Sequence, residues 1–145
     1  SAQTLPLRMR SHSQVTKEMC QFLESQKPVE RVYYPIVDEH QLTDYGGIVF
    51  FQLAAEFCDS YEVFRNALRL FNTGTGMAAV TSMVAQPYTG SHASMNDNEK
   101  QEIGLNRGLV RLCFGLETID DLKRDLTQSF QELTNCFVGS LKTKY

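Results

Sequence analysis

The sequence predicts an α+β fold in which a mainly antiparallel sheet of about four strands carries its helices on one face. Three observations predict this class. Four short runs of β-branched and aromatic residues lie between segments whose apolar residues recur at three- and four-residue steps. Their order is helix, strand, strand, helix, strand, helix, strand, helix. The 145 residues contain no internal repeat or low-complexity linker, so they fit one domain with its own core.

The first predicted elements are a helix and a short strand. Apolar residues on one face predict a helix over residues 8–26, and Pro28 ends it because proline cannot continue the hydrogen-bond ladder. Residues 32–34 predict a strand. A polar loop that contains residues 38–40 follows, and it closes at the glycine pair 46–47.

The middle of the chain predicts a strand, a helix and a second strand. Residues 48–53 form a nearly continuous apolar run, which is typical of a strand covered on both faces. Asp59 and Glu62 resemble a capping box that opens a helix through Ala67. The next strand is predicted over residues 68–71, just before a glycine-rich turn.

The last third of the chain predicts a short helix, a strand and a long helix. Asn96 and Glu99 form a capping signature, and the short helix that they open ends at Gly104. Residues 109–114 predict a strand that is covered on both faces, and Thr118 opens an amphipathic helix. The apolar stripe of that helix consists of Leu122, Leu126, Phe130, Leu133, Phe137 and Leu141.

Composition and charge exclude several classes of function. The net charge is -3, and the 14 Lys and Arg residues are scattered, whereas a nucleic-acid partner requires a clustered basic surface. No apolar run approaches the roughly 20 residues of a membrane helix. The first residues lack the features of a secretion signal, so we expect a cytoplasmic protein.

The cysteines and histidines do not form a pattern of metal ligands. Four cysteines stand far apart in apolar runs, at positions 20, 58, 113 and 136. No close pair of the C-x-x-C type occurs, and the histidines at positions 12, 40 and 92 are equally dispersed. We expect buried, reduced thiols and no metal site.

Arg111 is the residue whose predicted surroundings require an explanation. Within its strand it shares one face with Leu109 and Cys113, and both faces of this strand are predicted to be covered. Arginine is rarely buried without a partner. The partner could be a carboxylate of this chain, the side chain could extend to the sheet edge, or the guanidinium could bind a ligand carboxylate through two parallel hydrogen bonds. The physical argument alone leaves these alternatives open.

Two further motifs favour structural roles. The turn over residues 73–76 contains two glycines but lacks the Gly-Lys-Ser/Thr of a phosphate-binding loop, which favours a tight turn. His92 could act as a general base. No nucleophile can be paired with it from the sequence, which favours a histidine of a structural loop.

Several segments together resemble one enzyme family. They are residues 4–9 with His12, 22–25, 29–35, the Leu-Arg-Leu-Phe at 68–71, residues 87–95, and above all Gly-Leu-Val-Arg-Leu-Cys-Phe-Gly-Leu-Glu at 108–117 with 120–122. In this order they resemble the C-terminal part of the cystathionine γ-synthase, cystathionine β-lyase and methionine γ-lyase family. The resemblance implies that residues 1–145 form the small C-terminal domain of a fold-type I pyridoxal-phosphate enzyme.

The resemblance also implies a function. Members of this family eliminate or replace groups at Cβ or Cγ of cystathionine, methionine, cysteine or activated homoserine, in methionine and cysteine metabolism. Arg111 stands at the position of the arginine that binds the α-carboxylate of the amino-acid substrate. The cofactor lysine, the acidic partner of the pyridinium nitrogen and the phosphate loop belong to an N-terminal domain. The resemblance therefore implies no catalytic residue and no covalently bound cofactor here, an inactive isolated chain, and a homotetrameric parent.

One departure from the family pattern concerns substrate binding. Gly76 stands where the family has a serine close to the substrate carboxylate, so that contact is not carried over to this chain. If this departure reflects lost activity, the chain is a structural domain without catalysis. A separate alternative is a stand-alone α+β module that binds an amino acid through Arg111 for regulation or assembly.

Overall fold

The computed structural model describes residues 2–34, 44, 46–76 and 79–143. Among them are four α-helices: α1 (Leu5–Glu24), α2 (Tyr61–Ala67), α3 (Asp97–Glu102) and α4 (Ile119–Lys142). The strands of this part are β1 (Val29–Tyr33), β2 (Ile48–Leu53), β3 (Asn72–Thr73), β4 (Met83–Ala85) and β5 (Leu109–Cys113). Short 3-10 helices cover Ala2–Thr4 and Ala55–Ser60. The predicted α+β class is confirmed.

The strands form a single mixed sheet in the order β1-β2-β5-β4-β3. Its pairs are antiparallel except β3 and β4, which run parallel. The prediction of a mainly antiparallel sheet is thus confirmed, but with five strands instead of about four. The two strands that the sequence does not predict, β3 and β4, are only two and three residues long.

The strand predicted over residues 68–71 is wrong, and Asp125 of α4 provides the physical reason. Its carboxylate accepts hydrogen bonds from the backbone N–H of Arg69 at 3.0 and 3.1 Å and of Leu70 at 2.8 Å. Because a side chain takes these two donors, they are not available to a strand ladder. Strand pairing begins only at Asn72, one residue after the predicted strand ends.

The hydrophobic core lies between one face of the sheet and helices α1, α2 and α4. Phe51 of β2 makes edge-to-face contacts with Phe64 of α2 and Phe130 of α4, at centroid distances of 5.7 and 5.9 Å. Phe51 and Phe64 are fully buried. Each such side chain stabilises the fold by about 1.5–3 kcal/mol. The predicted packing of helices on one face is therefore observed for these three helices.

The helix ends follow the predicted capping signals in two cases and differ in two. Asn96 and Glu99 form a reciprocal capping box at the start of α3, and Thr118 accepts a hydrogen bond from the backbone of Asp121 at the start of α4. The capping box predicted at Asp59 is wrong, because a 3-10 helix occupies that segment and α2 begins only after Ser60. Helix α1 begins before the predicted residue 8, with proline in its first turn, where the missing N–H costs nothing.

The face of the sheet opposite the helices is the more accessible one. In β2, Val49, Phe51 and Leu53 are fully buried on the helix side. On the other side Gln52 is buried, whereas Ile48 and Phe50 are only half-buried. The expectation of full cover on both faces is therefore wrong for β2, and equally for Arg111 of β5, which is half-buried. We call this second surface the open face. The predicted polar loop at 38–40 lies outside the described residues.

No helix of the described residues has the length and apolar character needed to cross a membrane.

Candidate functional site

Arg111 lies in the centre of the open face. Cross-strand pairing places Phe50 of β2 beside it on one side and Ala85 of β4 on the other, and Tyr33 of β1 is the next neighbour beyond Phe50. Directly paired residues of neighbouring strands project to the same face, with Cβ atoms about 5 Å apart. The guanidinium therefore stands in a row with two aromatic side chains, on the face that the helices leave open.

The guanidinium of Arg111 has few partners. One Nη donates to the backbone carbonyl of Gly74 at 3.4 Å, and the Nε–H is buried without an acceptor. No carboxylate of the described residues forms an ion pair with it. Buried donors are normally satisfied, and arginine offers five of them. Within residues 2–34, 44, 46–76 and 79–143, the internal salt bridge considered above is thus not found.

Gly76 belongs to the segment that leads away from β3 beside Arg111. It is half-buried, and a Cβ at this position would lie 3.1 Å from Cε of Met83. At Gly74 the same methyl group would be only 2.7 Å away. Met83 pairs with Cys113, which shares the open face with Arg111. The thioether of Met83 therefore occupies the space that side chains at positions 74 and 76 would need.

An apolar concavity adjoins Arg111 on the other side. Its volume is about 540 Å³, and Phe50, the cross-strand neighbour of Arg111, is one of its walls. The remaining lining residues are Met9, Tyr33, Tyr34, Gly46, Gly47 and Ile48. Tyr33 and Tyr34 remain 43% and 40% exposed. A half-buried cationic group thus borders an exposed aromatic surface, an arrangement typical of binding sites.

A cluster that the sequence did not single out fixes residues 80–82, just before β4. Ser82, fully buried, donates from its N–H and its hydroxyl to the two carboxylate oxygens of Glu117, at 2.8 and 2.7 Å. The same hydroxyl accepts from the N–H of Gly115 at 2.8 Å. The N–H of Leu116 donates to the carbonyl of Val80 at 2.8 Å. The only signal in the sequence is the Gly-Leu-Glu that follows the Arg111 strand.

The remaining candidates lie apart from Arg111. The Nδ1 atom of His92 is 2.9 Å from the hydroxyl of Ser91, its immediate neighbour, in a series of turns over residues 87–94. Lys100 is only 6% exposed, and its ammonium lies 4.0 Å from the ring centroid of Tyr88. No strand residue that shares the face of Arg111 is a lysine. No group of three or more potential metal ligands occurs among the described residues.

The four thiols are free, but their surroundings differ. Cys20 and Cys113 are buried as expected, Cys58 is half-buried, and Cys136 is exposed, which contradicts the expectation for Cys136. Burial raises the pKa of the Cys113 thiol, although the positive charge of Arg111 acts in the opposite direction. A buried thiol with a raised pKa lacks the features of a reactive cysteine nucleophile.

Relatives of known function match nearly the whole chain. A cystathionine beta-lyase of Lactococcus lactis subsp. cremoris (strain MG1363) is 33% identical over 137 residues, which cover 89% of this chain and 36% of the relative. An L-methionine gamma-lyase of Fusobacterium nucleatum subsp. polymorphum is 28% identical over 138 residues, covering 90% of this chain and 35% of that protein. The chain thus spans about a third of the length of these relatives.

Solved structures share the fold. Cystathionine gamma synthase from Xanthomonas oryzae pv. oryzae, in complex with cystathionine, superposes with a TM-score of 0.80 at 26% identity, over 91% of this chain and 36% of that one. Cystathionine gamma-lyase from Lactobacillus plantarum, complexed with L-serine, also gives 0.80, at 24% identity and with 90% and 36% coverage. Residues 2–131 match the family model described as "Cys/Met metabolism PLP-dependent enzyme". Because this match covers most of its length, the chain belongs to the pyridoxal-phosphate-dependent enzymes of cysteine and methionine metabolism.

Proposed function

We propose that this chain is the C-terminal domain of a transsulfuration-type enzyme and that Arg111 binds the α-carboxylate of its amino-acid substrate. The observation that carries the proposal is the half-buried guanidinium, which has a buried Nε–H without an acceptor and no carboxylate partner among the described residues. Leaving such a group unpaired is costly. A ligand carboxylate would satisfy it through two parallel, charge-assisted hydrogen bonds.

We further propose that pyridoxal phosphate is bound mainly by residues outside this chain. In support, the open face has no lysine on its strands, and Lys100, the buried lysine among the described residues, has its ammonium against Tyr88. We infer that the lysine, the acidic partner and the phosphate loop are provided by an N-terminal domain, in line with the coverage of about a third. The cofactor supplies the electron withdrawal that elimination or replacement requires. The contribution of this chain is to hold and orient the substrate.

The open face also suggests where the N-terminal domain docks. Exposed apolar surface of this kind marks interaction sites, and here the tyrosines at positions 33 and 34 border Arg111. A docked domain would cover these rings and complete the substrate site around the guanidinium. The isolated chain is then expected to be colourless, inactive and prone to self-association. The full-length parent is expected to be a cytoplasmic homotetramer.

Substitution of Arg111 in the full-length enzyme tests the binding role. Arg111→Ala removes both hydrogen bonds to the carboxylate, each worth about 1.5–3 kcal/mol, so kcat/KM for L-cystathionine should fall at least about tenfold. Arg111→Lys should restore it only in part, because a point charge cannot reproduce the planar fork. The matched control is Arg124→Ala, which removes an exposed arginine in a surface ion pair with Asp121. A lower melting temperature with unchanged KM and kcat in Arg111→Ala would refute the role.

A further inference from the structure

We propose that Glu117, acting through Ser82, is a positioning residue of the Arg111 site. Its carboxylate holds the segment of residues 80–82, just before β4, against the end of β5, and this fixes the carbonyl of Gly74 at the guanidinium. The inference rests on the proposed function of Arg111. It adds a residue that touches neither the substrate nor Arg111.

The first step is the anchor at the end of the segment. The N–H and the hydroxyl of Ser82 donate to the two oxygens of Glu117, and the hydroxyl accepts from Gly115. Ser82 is fully buried and Glu117 is half-buried, so water replaces these bonds poorly. Ser82 thus makes three hydrogen bonds here, through its N–H and its hydroxyl, and the carboxylate of Glu117 accepts two of them.

The second step leads from Ser82 to Gly74. The carbonyl of Ser82 accepts from the N–H of Asn72 at 2.9 Å, and the carbonyl of Val84 accepts from the N–H of Gly74 at 3.1 Å. These main-chain bonds belong to the parallel pairing of β3 with β4. The position of Ser82 is thus transmitted through two backbone hydrogen bonds to Gly74, whose carbonyl accepts from Arg111.

The third step is the close approach of the two backbones. A Cβ at Gly115 would lie 2.3 Å from the carbonyl oxygen of Val80 and 2.6 Å from the carbonyl carbon of Thr81. Only glycine permits this contact, so the segment lies directly against the chain that leaves β5. Without Glu117, both donors of Ser82 lose their acceptors, and the segment is held at β5 only by the bonds of Gly115 to Ser82 and of Leu116 to Val80 and by the pairing of β4 with β5. Gly74 and Met83 would then shift beside Arg111.

The test uses the full-length enzyme and two readouts of binding. Glu117→Ala should raise KM for L-cystathionine, and the dissociation constant for L-serine measured by calorimetry, by roughly fivefold or more, the scale of coupling between residues linked through a hydrogen-bond network or a backbone shift. Turnover should change less, because the residue does not touch the reacting atoms. Glu117→Gln should have a smaller effect than Glu117→Ala, since the amide oxygen can still accept from the N–H of Ser82, although the hydroxyl proton loses its acceptor. In an Arg111→Ala background, Glu117→Ala should have no additional effect.

The control separates positioning from general destabilisation. Asp125→Ala removes a buried carboxylate that also accepts backbone N–H bonds, but on the helix side of the sheet. It should lower the melting temperature and leave KM unchanged. If Glu117→Ala fails to fold, Glu117→Asp replaces it, because the shorter side chain cannot reach both groups of Ser82.

The possible outcomes distinguish this inference from the proposed function. Unchanged binding in Glu117→Ala, together with weakened binding in Arg111→Ala, overturns the positioning role and leaves the role of Arg111 intact. Additive effects in the double variant overturn it as well. If Arg111→Ala itself binds substrate like the wild type, the proposed function fails and the positioning role fails with it.

Discussion

Asp125 offers the sharpest test of how the fold is held together. This residue of α4 is 5% exposed, and its carboxylate accepts backbone N–H bonds from Arg69 and Leu70, in addition to one from the side chain of Gln128 at 3.0 Å. These bonds connect the end of α2 to α4 and replace the strand pairing that the sequence predicts there. The perturbation is Asp125→Ala, which removes the acceptor and leaves the backbone donors in place.

The expected loss of stability follows from these contacts. Hydrogen bonds to a charged group contribute about 1.5–3 kcal/mol each, and buried donors without an acceptor add a desolvation cost. Arg69 is exposed and Leu70 is half-buried, so water recovers part of this energy. We therefore expect the free energy of unfolding to fall by about 2–4 kcal/mol, below the simple sum of the individual bonds.

Urea unfolding of the chain, followed by circular dichroism at low protein concentration, measures this loss. Asp121→Ala is the matched control, because Asp121 lies one helical turn earlier and forms an exposed ion pair with Arg124 at 3.4 Å. Exposed pairs contribute at most about 1 kcal/mol. Equal destabilisation by the two substitutions would show that the buried carboxylate does not hold the loop.

Two more predictions concern the binding site and alkaline pH. If position 76 contacts the substrate as the family resemblance implies, Gly76→Ser should lower KM in the full-length enzyme about two- to tenfold by adding a donor. A side chain fits there, because only the flexible end of Met83 must yield, by a few tenths of an ångström. Gly76→Ala is the control for crowding, and identical behaviour of the two variants would exclude a contact by the hydroxyl. Burial, with a smaller contribution from Glu24, raises the pKa of Cys20 to about 12 from 9.0, so the unfolded chain loses this proton first as the pH rises. The free energy of unfolding should be unaffected below pH 9 and fall above it by up to about 1.4 kcal/mol per pH unit. Urea unfolding at several pH values measures this slope, which should be smaller in Cys20→Ala.

The parts of the fold that the sequence predicts well are those with local signals. Strand β2 has the predicted bounds, because six consecutive positions of β propensity leave little choice. Helices α3 and α4 begin where Asn96 and Thr118 provide caps. Strands β3 and β4 have no such signal, because their extension depends on a partner that is distant in sequence. The misplaced strand at 68–71 has the same origin, since its donors are taken by a residue 56 positions away.

The candidate site, too, is predicted from the sequence only in part. Alternation along β5 places Arg111 on one face with Leu109 and Cys113, and this much follows from the sequence. The tertiary structure determines that the guanidinium has no carboxylate partner among the described residues, and local sequence does not reveal this. The hydrogen bonds between Ser82 and Glu117 also depend on the tertiary structure, since the two residues are 35 positions apart. Motif resemblance identified the position of the arginine but not the contacts that surround it.

The parallel pairing of β3 with β4 bears on how this family can diversify. Parallel neighbours usually need a crossover of a dozen or more residues, whereas here residues 74–82 suffice. Both ends of this connection are tied through main-chain atoms and through Ser82, so position 76 is not required to keep the sheet intact. We therefore expect an exchange between glycine and serine at position 76 to leave the fold intact. The side chain at this position and the contacts that hold the sheet together involve separate residues of the same short segment.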